Sequence, residues 1–165
     1  MWPSFALEIG GMTAEEMGNA LDREKIHVTP FARSMLRNEK EFVLPVNKRE
    51  SERHGKTETL DLVRLRVHDL GFTHYPTTTE LFARAKELGL ELCPPETGLY
   101  LCLGEDQSSG WYYIGMESVT DSDGDPHVFG LGRSGDGLWL SSRLAYPDFR
   151  WLLDSRVVFR RCKSL

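Results

Sequence analysis

Cysteine is scarce in this chain. Cys93, Cys102 and Cys162 are odd in number and far apart, with no C-x-x-C spacing. That excludes a disulfide framework and a structural zinc site of the usual ligand spacing. Reduced thiols, mostly buried, in a cytoplasmic protein are the expectation. Long apolar runs are also missing. The start, Met1-Trp2-Pro3-Ser4-Phe5, has neither a basic region nor an apolar core, so no signal peptide is read there. Nowhere does an apolar run approach the ~18 residues that span a bilayer, so a soluble protein without membrane contact is expected. Excess positive charge is lacking too. Lysine and arginine number 20 against 25 aspartate and glutamate, for a net charge of −5, which speaks against a dedicated nucleic-acid binder. No G-x-S-x-G, phosphate-binding loop, dinucleotide fingerprint or H-E-x-x-H is present, and nothing in the sequence asks for a cofactor.

What is present is ordinary globular material, 40% hydrophobic and 27% charged over 165 residues, suited to one domain. Its best-marked stretch runs from Leu60 to Gly98. Leu60 to Val67 alternates, with Val63, Leu65 and Val67 opposed to Arg64 and Arg66, as in a half-buried strand. Thr77 and Glu80 then form a capping box. Leu81, Phe82, Ala85 and Leu88 follow at helical spacing, Gly89 closes the helix, and Cys93-Pro94-Pro95 bars continuation.

Before that stretch, Trp2 to Ile9 reads as a short strand or extended arm. Thr13 and Glu16 predict a capped helix from about Ala14 to Arg23 that buries Met17, Ala20 and Leu21, with Met12 stapled to Met17. Thr29-Pro30 starts a second helix, to about Arg37, expected to bury Phe31, Met35 and Leu36. A helix-turn-helix reading of the pair is weakened by five basic and seven acidic residues over 1–46. Pro45 demotes Phe42 to Val46 to an edge strand or strap, and 47–58, without an apolar residue, reads as a solvated, mobile loop.

Beyond the central helix, short apolar segments alternate with turn clusters. Leu99 to Leu103, Trp111 to Ser118, His127 to Arg133, Leu138 to Leu140 and Arg156 to Arg161 read as strands. Turns fall at 104–110, 120–126 and 134–137, and a longer loop covers 141–155. The expected fold class is α+β. N-terminal helices and the central helix pack on a mainly antiparallel C-terminal sheet or partly open barrel, with a helical part (1–46), a loop (47–58) and an α+β part (59–165).

The segments LGLELCPPETG, ESVTDSDGDPHVF, GDGLWL and RVVFRR together resemble a family of small bacterial proteins, over most of the chain from about Gly11. The family carries no assigned activity. The resemblance therefore implies a shared fold and supplies no functional residues.

Three constellations bear on chemistry. Asp121-x-Asp123-x-Asp125 copies the opening of a calcium loop, but the twelfth position is Gly132 where a bidentate glutamate belongs; a hairpin turn held by aspartate side chains is the plainer reading. His68, His74 and His127 could build the site of a small enzyme if the fold brought them together. The carboxyl end is the most suggestive. Residues 143–163 hold six basic and two acidic side chains, interleaved with aromatics. Arg143, Tyr146, Phe149, Arg150 and Trp151 have the composition of a protein-binding hot spot. The expected function is a non-enzymatic binding or regulatory module using that surface, toward a protein partner or a second copy of itself. A small enzyme around the three histidines is the alternative.

Overall fold

The computed structural model describes residues 2–38, 42, 57–104 and 110–162. Among these, nine strands form one mixed sheet that does not close into a barrel, accompanied by four helices. An α+β fold is what results. The strands are β1 (Ser4–Gly10), β2 (His27–Val28), β3 (Thr57–Arg66), β4 (Leu90–Glu91), β5 (Tyr112–Ile114), β6 (Val119–Thr120), β7 (Pro126–Ser134), β8 (Gly137–Leu144) and β9 (Arg156–Arg161). The helices are α1 (Ala14–Arg23), α2 (Pro30–Leu36), α3 (Thr78–Glu87) and α4 (Thr97–Leu103). No helix among the described residues is long and apolar enough to cross a membrane.

Across the sheet the order is β1-β3-β9-β5-β7-β8-β2, with β4 added to β9 and β6 to β7. Most pairings are antiparallel, but β9 runs parallel to β5 and β8 parallel to β2. Both ends of this order come from the amino-terminal segment. The strand or arm expected at Trp2 to Ile9 is β1; β2, between the two expected helices, is a strand the sequence does not signal, and the two lie at opposite ends of the sheet.

Local signals account for the helix starts. Thr13 and Thr77 each accept from the N–H three residues on, while Glu16 and Glu80 return the bond to the cap's own N–H. Each box satisfies two backbone donors the helix itself cannot. Gly89, at φ +83°, ends α3 in the left-handed conformation expected of it.

Register assigns side chains to faces, because directly paired residues point the same way. Val63 pairs with Phe159, and the Phe82 ring of α3 meets Phe159 edge-on at 6.1 Å. Helix α3 therefore covers this face, along with Tyr113 and Trp151. The other face carries Leu60, Leu62, Val158, Ile114, Phe129 and Leu131, all buried, and is covered by α4 and α2. Burial on both faces explains why β3 hides Leu60 and Leu62 as well as the Val63 and Leu65 side read from its alternation.

Three expectations need correction. Leu99 to Leu103 is not a strand but most of α4, in which Thr97 to Cys102 are all buried. A short apolar run cannot by itself separate a core strand from a buried helix. Gly98 lets the helix approach: a Cβ there would stand 3.3 Å from Ile114 Cγ1 and Phe129 Cβ. Second, Phe31 is not core. It is 48% exposed, because the inward face of α2 is set by Ala32 and Met35. Third, the sheet stays open and the barrel alternative falls. The expected mobile loop lies outside the described residues over 47–56, its last residues forming the start of β3. The strap at 43–46 and the turn at 105–109 are likewise outside; Phe42 is buried, edge-on to Phe129.

Candidate functional site

Two places combine chemistry with access. The first is the carboxyl-terminal segment after β8, which runs beside the entry to α3. Thr77 bridges Arg150, Trp151 N–H donates to the Pro76 carbonyl at 2.8 Å, and Thr78 N–H donates to the Phe149 carbonyl at 2.9 Å. The antiparallel register of that bridge sets Tyr75 opposite Leu152. Three large apolar side chains on these paired segments stay in solvent: Tyr75 (52% exposed), Phe149 (41%) and Leu152 (53%).

The five residues expected to form the surface divide into two groups. Phe149 and Arg150 are exposed. Arg150 Nη1 donates to the Tyr75 carbonyl at 2.7 Å and lies 4.0 Å from Glu80. Trp151 is fully buried, with its indole N–H donating to the Thr78 hydroxyl at 2.9 Å. Arg143 is stacked 4.0 Å above the Trp151 ring and donates to the Arg150 carbonyl at 2.7 Å. Desolvation lowers its pKa. Tyr146 is half-buried and donates its phenol hydrogen to Asp125. Trp151, Arg143 and Tyr146 thus hold the segment, while Phe149 and Arg150 face outward. Composition alone does not distinguish the groups. Nor does it point to Tyr75, which lies far away in the chain, or to Leu152, which has no feature to set it apart from other apolar residues in loops.

The other place is a cleft of about 510 Å³ between α2 and the turn from β6 to β7, lined among the described residues by Pro30, Arg33, Ser34, Arg37, Asn38, Asp121 and Ser122. Asn38 Nδ2 reaches the Thr120 carbonyl and hydroxyl, and Ser122 N–H donates to the Ser34 hydroxyl. These bonds fix the turn to the helix. Asp121 forms the cleft's inner wall. One of its carboxylate oxygens accepts from the N–H groups of Asp123 (2.8 Å) and Asp125 (3.0 Å), and the other faces His127 Nε2 at 2.7 Å. Burial would raise the Asp121 pKa, but the two N–H groups and His127 outweigh it, and the pKa is lowered.

His127 itself is 3% exposed beneath the Phe31 ring, stacked at 5.1 Å, and its Nδ1 has no partner among the described residues. The three histidines are not brought together. His74 is exposed and bonds Glu80 at 3.1 Å, and His68 is exposed in the turn after β3. Strands β3 and β7 stand three places apart in the sheet, or ~14 Å at the usual strand spacing. Asp121, Asp123 and Asp125 do place carboxylate oxygens within 4.8 Å of one another. The oxygens of Asp121 are already engaged by the turn and by His127, and Gly132, where the loop's twelfth ligand would stand, lies in β7.

No disulfide joins Cys93, Cys102 and Cys162; the first two are buried and Cys162 is exposed. Burial pushes Cys93 up to about 12, which leaves it inert as a nucleophile at neutral pH. No protein-family model, curated protein or solved structure matches the chain.

Proposed function

We propose that this protein is a small non-enzymatic binding or regulatory module, working in the cytoplasm, that acts through a protein–protein contact centred on Phe149, Arg150 and Leu152. The observation that carries the reading is the exposure of Tyr75, Phe149 and Leu152 on two segments whose backbones are paired and whose underside is closed by buried Trp151. Rigid apolar side chains beside an arginine lose little entropy on binding, which is why such groups dominate interface energetics. The occupant favoured is a second copy of the chain. Arg150 stands close in sequence to exposed Asp148 and Asp154, so a twofold contact can set unlike charges against each other.

Sedimentation velocity across a concentration series tests this. The wild type is expected to dimerise reversibly, and Phe149→Ala to weaken the dimer roughly 30-fold, the equivalent of about 2 kcal/mol, without moving the melting temperature. A wild type that stays monomeric at every concentration would remove the second copy as occupant. A dimer indifferent to both Phe149→Ala and Leu152→Ala would remove the surface.

A further inference from the structure

The cleft beside α2 lies on the opposite face of the sheet from the surface just described and is independent of it. We propose that this cleft binds a small, doubly charged oxyanion group, a phosphate monoester or a dicarboxylate, through the guanidinium groups of Arg33 and Arg37.

The spacing is the first support. Arg33 and Arg37 are four residues apart along α2 and its C-terminal cap, which puts them on the same side of the helix, and both line the cleft. Neither forms an ion pair among the described residues. Two exposed arginines one helical turn apart repel each other weakly across water, and the planar guanidinium fork suits the carboxylate and phosphate oxygens that would relieve this.

The opposite wall is the second support. Asp121 is the one carboxylate among the described lining residues. It is 7% exposed, and both its oxygens are already engaged, by two N–H groups and by His127. Both of its acceptor oxygens are thus occupied within the protein, and it forms no ion pair with Arg33 or Arg37 among the described residues. The Ser122 hydroxyl, also in the wall, offers a hydrogen-bond donor to an anion seated there. The cleft holds far more than a single water, so a ligand with a small organic body behind its charged end can enter.

Isothermal titration at low salt tests the proposal with inorganic phosphate and malonate as probes and chloride at matched ionic strength as control. Saturable binding of phosphate or malonate, with none of chloride, is expected. The tighter of the two distinguishes a phosphate monoester from a dicarboxylate as the ligand class. Arg33→Gln and Arg37→Gln are each expected to weaken binding about tenfold, the scale of one charge-assisted hydrogen bond, while Arg133→Gln, exposed on β7, changes nothing. Both cleft arginines are exposed, so these variants keep the fold, which equal melting temperatures verify. Absence of saturable binding by the wild type at millimolar probe overturns the proposal, and so does undiminished binding by both cleft variants.

Discussion

Trp151→Ala is expected to destabilise the protein by about 3–5 kcal/mol and to lower its melting temperature by roughly 10 °C or more. The indole is fully buried, meets Tyr113 edge-on at 5.8 Å, and lies under the Arg143 guanidinium at 4.0 Å. Its removal opens a cavity where α3 meets the sheet. It also leaves the buried Thr78 hydroxyl without the indole donor and exposes Arg143 on one side. Trp151→Phe should recover part of the loss, since it restores ring volume but not the N–H. Thermal melts of both variants beside wild type read this directly. A change of less than about 1 kcal/mol in Trp151→Ala would mean that the ring is not part of the core.

Asp121→Ala should be nearly as damaging, at about 3 kcal/mol. It removes the acceptor of two turn N–H groups and the partner of a histidine that has almost no access to water. The same carboxylate predicts a pH dependence. Its folded-state pKa lies below the unfolded value. A depressed carboxylate pKa means that the folded state favours the charged form. The contribution is therefore fully present above the unfolded value, near pH 4, and is lost as pH falls through the folded one. Denaturant titrations of wild type and Asp121→Asn should accordingly show a stability gap at pH 7 that narrows below about pH 4. A gap that widens on acidification would contradict the assignment.

How far this can be read from the sequence varies with the range of the interaction. The starts of α1 and α3 are legible because a capping box is written within four residues, as in Thr13 to Glu16 and Thr77 to Glu80. The strand at Leu60 is legible from alternation, though burial of both its faces is not. Leu99 to Leu103 misleads because an apolar run fits a buried helix as well as a buried strand. What decides is Gly98, whose missing side chain admits α4 to the sheet. The carboxyl-terminal segment shows the same limit. Trp151 and Phe149 stand two residues apart and both have the character of hot-spot aromatics; Thr78, far away in sequence, receives the indole N–H and draws only one of them inward. The cleft is not legible at all. The spacing of Arg33 and Arg37 and the aspartate-rich turn at 121–125 are each visible alone, but only the fold sets them face to face.

The central claim is that Trp151 supports the surface from within while Phe149 and Leu152 meet the partner. Hydroxyl-radical footprinting over a concentration series tests it in one measurement. Trp151 should be protected from oxidation at every concentration. Phe149 and Leu152 should be oxidised in the dilute protein and become protected as concentration rises. Oxidation of Trp151 in the folded protein, or oxidation of Phe149 and Leu152 that concentration leaves unchanged, would contradict it.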